Sequence, residues 1–295
     1  MMISVIVSSG NPENFDRLST SLSKSIGISY ELIKIDNPGT MGICKAYNNG
    51  AAKAQYDILC FVHDDVRFVT QDWGPNLLSY FRSDENIGVL GVAGSTCKSR
   101  MPASWWQPAV NNVEPKRCNL VQHFKHTAKD KEHNIVNPCH ESKSIVAALD
   151  GVFLAMKKEV WSEHKFDEKL LKGFHGYDID ISLNIGKKRN NYVVYDILLE
   201  HASEGQTGLS WFESIFKVHR KWKSILPVVK KGDVGAKELK VIDRYWFDHL
   251  LSIKVDKKDR GKKLGLSLQL LLLLGWKNIT MNDIKRYKTL LQRTL

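Results

Sequence analysis

DILCFVHDDV, residues 57–66, is the stretch whose reading decides the fold class. Ile58, Leu59, Cys60, Phe61 and Val62 are apolar at successive positions, which suits a parallel strand covered on both faces. Two adjacent carboxylates, Asp64 and Asp65, stand at its end. Charges at the mouth of an apolar strand are costly unless something positive meets them. A hard divalent cation that also binds a diphosphate would do so. Mg²⁺ and Mn²⁺ take oxygen ligands and need only one or two carboxylates when phosphates complete the shell. A solvated turn is the competing reading, because Asp is common in turns.

Upstream, Ile3 to Ser8 is a β-rich run ending in small residues. Asn11 suits a helix N-cap and Pro12 the first helical position, and Phe15, Leu18, Leu22 and Ile26 follow at helical spacing. Tyr30 to Asp36 reads as a second strand and Gly42 to Ala54 as a second helix. This strand-helix-strand-helix-strand order predicts a parallel sheet with crossover helices. Ligands of such sheets bind beyond the carboxyl ends of the strands. Ser8-Ser9, Asp36 and His63-Asp64-Asp65 all fall there.

Downstream, Thr70 to Phe81 reads as a helix and Ile87 to Ala93 as a strand. Cys97 to His140 has no sustained period and reads as a long, mobile, polar loop, a length usually tied to function. Strand character resumes over Ile145 to Met156, around Asp150-Gly151. A short helix is expected over Lys158 to His164, another over Tyr177 to Lys188, and a strand over Tyr192 to Leu199. Ser210 to Leu226 is an aromatic, basic helix, Gly232 to Gly235 a linker, and Leu239, Ile242, Trp246, Leu250 and Ile253 an amphipathic stripe. Leu268 and Leu270 to Leu274 read as the buried core of a small helical subdomain.

The net charge of +11 is unevenly spread. From Ile215 onward there are 20 Lys+Arg and 7 Asp+Glu, so this segment carries +13 and the remainder −2. Basic character therefore belongs to the tail, where it favours anionic surfaces. No nucleic-acid recognition motif accompanies it. Five scattered cysteines argue against a disulfide framework and for a reducing, cytoplasmic setting. No apolar run reaches the length of a membrane-spanning helix, and the first residues are too short for a signal peptide.

Three further constellations carry chemistry. Asp178 and Asp180, in GFHGYDID at 173–180, would start a helix, where free N–H groups favour negative charge. Capping explains one of them, and a general base accepting a proton from an acceptor hydroxyl is the functional reading. Glu200-His201 follows an apolar strand, so His201 is either structural or a ligand. The Cys/His set Cys118, His123, His126, His133, Cys139 and His140 lacks a zinc-finger spacing. Trp105-Trp106 could stack on a sugar or anchor a loop.

In order and spacing, ISVIVSS (3–9), ELIKIDN (31–37), the long run 39–66, LDGVFLAMKKEVW (149–161), GFHGYDIDIS (173–182) and EHAS (200–203) resemble glycosyltransferase family 2. The bacterial streptomycin-biosynthesis-type branch is the most similar, over about residues 2 to 225. The resemblance implies an α/β fold of GT-A type, a Rossmann-like, mostly parallel central sheet flanked by helices. It would occupy residues 1–228, with a basic helical appendage over 229–295. It implies a hexosyltransferase-like enzyme of polysaccharide biosynthesis. A sugar would move from a nucleotide-diphosphate sugar to a hydroxyl of a carbohydrate or lipid-linked acceptor, with inversion. Ser8, Asp36, Gly42, Lys45, Asn48, Asp64, Asp150 and Gly151 would lie on the donor side, with Tyr47 and Gly50 nearby. The cofactor would be Mn²⁺ or Mg²⁺ on Asp65 and His201, with His63 standing where the family's Asp-x-Asp motif has its first acid. Asp178, with Asp180 beside it, would supply the base, and Tyr177 stands where relatives have Glu.

The basic tail could dock on the catalytic domain, on a second subunit in a homodimer, or on the inner face of a membrane. Two other functions compete with glycosyl transfer. A sugar nucleotidyltransferase would need a Gly-rich, basic phosphate loop after the first strand, which Ser8-Ser9-Gly10-Asn11 is not. A non-catalytic nucleotide-sugar or carbohydrate binder is compatible with the altered His63-Asp64-Asp65 motif.

Overall fold

The computed structural model describes residues 1–124, 131–203, 205, 207–230, 234–275 and 279–292, without the side chains at 274 and 290. His126 and Gly232, named in the sequence reading, lie outside the described residues.

The first half alternates as the sequence pattern predicts: β1 (Ile3–Ser9), α1 (Pro12–Ser25), β2 (Tyr30–Asp36), α2 (Ile43–Lys53), β3 (Ile58–His63), β4 (Val66–Phe68), α3 (Trp73–Ser83) and β5 (Ile87–Gly91). Asn11 caps α1, its side chain accepting from the backbone N–H groups of Glu13 at 3.0 Å and Asn14 at 3.3 Å. Then come β6 (Ala93–Ser95), β7 (Cys97–Lys98), β8 (Lys116–His123), β9 (Lys131–Val136), β10 (Lys143–Val146), β11 (Ala148–Leu149) and β12 (Phe153–Lys157). Helices α4 (Lys158–Glu163) and α5 (Tyr177–Ile185) lead to β13 (Asn190–Val194) and β14 (Leu199–His201). The chain closes with α6 (Leu209–Lys221), β15 (Val228–Val229), α7 (Ala236–Ser252), α8 (Arg260–Leu274) and α9 (Met281–Gln292).

The central sheet has the order β10-β13-β5-β12-β3-β1-β2. β1, β2, β3, β5 and β13 run one way, and β12 and β10 run against them. The pleat sends alternate side chains to opposite faces. Ile3, Val5 and Val7 enter one apolar cluster with α1 and α3, while Ile6 enters the other with Tyr47 and Phe61. This mixed α/β sheet between helical layers is the GT-A type architecture.

A second sheet, β11-β6-β8-β14-β4 with β9 against β8, lies beyond the first. Its presence corrects the reading of Cys97 to His140 as one loop. β8 is a central strand of that sheet, but buried Arg117 and Asn119 interrupt its apolar alternation. Arg117 donates from its guanidinium to the Glu114 and Lys116 carbonyls, and Asn119 to those of Tyr195 and Ile197.

The tail is packed, not tethered. β15 pairs with β7, and Ile242, Trp246, Phe247 and Leu250 of α7 join the same cluster as Phe212 and Ile215 of α6. In α8, Leu270 is buried, but Leu268 and Leu272 are exposed, which corrects their reading as core. Among the described residues no helix is long and apolar enough to cross a membrane.

Candidate metal and donor site

Register brings the candidate residues to one rim. Ser8 pairs with His63 of β3 and Ser9 with Asp36 of β2, so these strand ends lie level. β12 runs antiparallel to β3, and the Val152 carbonyl accepts from His63 N–H at 3.2 Å. That contact delivers Asp150-Gly151 to the same edge. In the second sheet His201 pairs with Val66, and Ala202 N–H donates to the Asp65 carbonyl at 3.0 Å. Two residues far apart in sequence, Asp65 and His201, thereby become neighbours.

A cleft of about 300 Å³ opens at this rim. Ser8, Asn37, Tyr47, His63, Asp64 and Tyr177 are among its walls. Asn37, which the sequence reading did not single out, bridges the Ser8 hydroxyl at 3.1 Å and the Met41 carbonyl at 2.9 Å. A larger groove of about 610 Å³ meets the cleft at Asp64 and Asp65.

One potential metal-binding group is found among the described residues: His63, Asp65 and His201, whose ligand atoms lie within 4.8 Å of one another. The surrounding hydrogen bonds fix how these atoms face. Tyr177 Oη donates to the Gly151 carbonyl at 3.1 Å and therefore accepts from His63 Nε2–H at 2.7 Å. His63 Nδ1 is left with its lone pair, 3.5 Å from His201 Nε2. The side-chain amide of Gln122 donates to the carbonyls of His123, His201 and Ser203, so its oxygen accepts from His201 Nδ1–H at 3.2 Å. His201 Nε2 then faces Asp65 Oδ1 at 3.4 Å. Two imidazole nitrogens and a carboxylate oxygen thus converge on one point with room for one positive charge, a proton on His201 or a metal ion.

Electrostatics agree with that geometry. Burial, and then the neighbouring His201, push the His63 imidazole down to about 4, so it is neutral at ordinary pH. Burial works against the Asp65 charge, but His201 and Ser203 hold its carboxyl well below the usual range. Asp64 is pushed up by burial, against a 2.6 Å hydrogen bond from Ser9 Oγ. The donor set fits a divalent transition ion: imidazole suits such metals, while Mg²⁺ prefers oxygen alone.

Two glycines make the arrangement sterically feasible. A Cβ on Gly151 would lie 2.0 Å from Tyr177 Oη. Gly176, at φ +82°, takes the left-handed conformation that starts α5 and turns Tyr177 inward.

Asp178 follows in the first turn of α5, half-buried. Burial and then the nearby Asp150 push its carboxyl up to about 7. Asp150 is itself pushed up by burial. Asp178 is not among the residues lining the 300 Å³ cleft.

Other expected site residues are engaged elsewhere. Asp180 accepts from Lys221 Nζ at 2.8 Å and Trp222 Nε1 at 2.7 Å, tying α5 to α6. Asn48 bonds Phe166 through both its amide nitrogen and its oxygen, and also binds Glu168 and Trp161, which places it in a separate depression. Gly42 lies under the Lys172-Gly173 backbone, and Ile43 N–H donates to the Gly173 carbonyl at 3.0 Å. Lys45 is exposed, and Asp36 is exposed beside Lys34 at 2.9 Å, so neither lines the cleft. Trp106 packs on Trp246 and Tyr245 of α7, and Gln107 accepts from Trp246 Nε1 at 2.9 Å, so this loop is anchored by the tail.

Among solved structures, GalNAc-T7 with UDP, GalNAc and Mn²⁺ aligns at TM-score 0.49 and 13% identity, over 73% of this chain and 48% of that one. The chain thus corresponds to about half the length of that protein. A protein from STIV aligns at TM-score 0.40 and 15% identity, over 69% of this chain and 87% of that one. No curated protein sequence matches the chain. A family model described as "Glycosyltransferase like family" matches residues 4–219, which contain every side chain of the rim. The chain belongs to this glycosyltransferase-like family.

Proposed function

We propose that the protein transfers a sugar from a nucleoside diphosphate sugar to an acceptor hydroxyl, with inversion, aided by Mn²⁺ or a similar transition ion. The observation that carries this reading is the convergence of His63 Nδ1, His201 Nε2 and Asp65 beside a polar cleft at the strand ends. These residues lie within the segments on which the sequence resembles the streptomycin-biosynthesis-type branch. Held by these three residues, a metal ion would supply Lewis acidity toward the diphosphate.

The chain's own groups do the rest. Ser8 and Asn37 border the cleft and offer polar atoms to the nucleoside. Asp178 accepts the acceptor's hydroxyl proton. As the acceptor oxygen bonds to the anomeric carbon, the bond from that carbon to the diphosphate breaks, and its electron pair leaves with the diphosphate. Tyr177 and Gln122 keep the imidazole lone pairs aimed inward, so the site is set before any ligand arrives.

The test is a thermal-shift and calorimetric screen of nucleoside diphosphates and their sugars, with Mn²⁺, Mg²⁺ or chelator. Stabilisation by a nucleoside diphosphate with Mn²⁺, weaker with Mg²⁺ and lost in Asp65→Asn, is the expected result. Equal binding in chelator would overturn the metal assignment. Donor binding with no transfer or hydrolysis for any acceptor would favour a binding protein.

A further inference from the structure

On a part of the molecule outside the rim, α6, α8 and the turn after β7 enclose a groove of about 320 Å³. Phe216, Leu226, Leu272 and Leu273 give it an apolar lining. Arg100, Arg220 and Lys223 give it three cations, and no carboxylate lines it. Arg220 bonds only the neutral side chain of Gln269, at 3.2 Å, among the described residues. Three cations around an apolar cavity suit a ligand that is anionic at one end and apolar at the other.

A buried group points to the same ligand. His219 is only 4% exposed. Its Nδ1–H donates to the Arg100 carbonyl at 3.0 Å, its Nε2 is buried without a partner among the described residues, and the residue lines the groove. Burial and then Lys98 keep the imidazole neutral. An anion in the groove would offset those effects and allow both nitrogens to donate.

The outer surface of α8 extends the apolar lining to solvent. Leu268 and Leu272, one turn apart, are 47% and 61% exposed. Exposed leucines beside a basic pocket match the pattern of a helix lying in a membrane interface. A nucleic acid would call for exposed aromatic rings to stack on bases, and the aromatic ring of the lining, Phe216, is buried. A free phosphate ion would leave the leucines unused.

We propose that the α6–α8 groove docks the phosphate headgroup of an anionic lipid at a membrane surface, with Leu268 and Leu272 entering the acyl layer. The test is co-sedimentation of the full chain with phosphatidylcholine vesicles, with and without phosphatidylglycerol. Binding is expected only to the anionic vesicles. Arg220→Gln with Lys223→Gln should weaken it about 30-fold, roughly fivefold per cation. Leu268→Ser with Leu272→Ser should weaken it by about tenfold or more. Lys237→Gln with Lys240→Gln removes the same charge from α7, outside the groove, and should change binding less than about threefold. All these positions are exposed, and circular dichroism melts will show that the variants fold. The proposal is overturned if the α7 pair loses as much as the groove pair. It is equally overturned if the leucine pair has no effect, or if inorganic phosphate displaces the protein as well as anionic lipid does.

Discussion

The rim of the sheet and the contact between α5 and α6 both bury carboxylates, yet they solve the charge problem differently. At the α5–α6 contact, Asp180 meets Lys221 and Trp222, and Lys221 also holds Asp167 at 2.9 Å. Each carboxylate there meets a lysine inside the protein. At the rim, no lysine or arginine pairs with Asp64, Asp65, Asp150 or Asp178 among the described residues. The negative side chains instead raise one another's pKa, or face a histidine whose other nitrogen is already committed. A carboxylate that the protein does not neutralise is one that a cation or a proton is meant to neutralise. That difference separates Asp65 and Asp178 from Asp180, although all three looked alike in the sequence.

The comparison can be broken by substitution. Asp65→Asn should lower transfer by more than about 100-fold and abolish calorimetric Mn²⁺ binding. Retained transfer would remove Asp65 from the site. Asp180→Ala should do the reverse. Leaving the Trp222 indole N–H without its acceptor, and Lys221 with Asp167 alone, should cost about 1–3 kcal/mol in urea unfolding, while the folded protein keeps its Mn²⁺ affinity. If Asp180→Ala instead leaves stability intact and stops transfer, the two regions have been assigned the wrong way round.

Tyr177→Phe sharpens the comparison at one atom. Without the hydroxyl, His63 loses the bond that fixes its tautomer, and Mn²⁺ affinity should fall about 10- to 100-fold. The accompanying loss of stability should be about 1 kcal/mol. An unchanged Mn²⁺ affinity would show that His63 is not a ligand.

The smallest effect is in the pH profile. With Asp178 at about 7 as base, kcat/KM should rise about tenfold per unit up to that pH and then level off. Stability should move the other way. The folded value lies above the ordinary 3.8, so between these two values the folded state holds a proton that the unfolded chain has released. The stability this contributes is present at low pH and is lost as pH rises toward 7. Asp178→Asn should flatten that fall, raising the melting temperature at pH 8 relative to pH 5 compared with the parent. An unaltered slope would mean that Asp178 is not the group that titrates.

Where periodicity is local and one-sided, the elements were legible. β1, α1, β2, α2 and β3 follow from apolar spacing, an Asn11 cap and Pro12. β8 was not, because Arg117 and Asn119 are buried at positions where a sheet strand ordinarily shows apolar residues, and the carbonyls that Asn119 meets are distant in sequence. Gln122, which orients His201, went unnoticed for the same reason. Asn48 and Gly42 look like donor-side residues in a motif, yet each serves a neighbouring loop. Leu268 and Leu272 read as core because a leucine-rich run does not reveal which turn of a helix faces outward.

From residue order alone came the α/β class, the strand ends that gather small and acidic residues, and the pairing of Asp65 with a later histidine through family resemblance. These depend on short-range spacing or on motif order, both visible along the chain. Tertiary structure decided which acids are neutralised internally, which tautomers the two histidines adopt, and that the basic tail is part of the packed body. Those outcomes depend on contacts between residues far apart in the chain, such as Asp180 with Lys221 and His63 with Tyr177 and His201, and local periodicity carries no information about them.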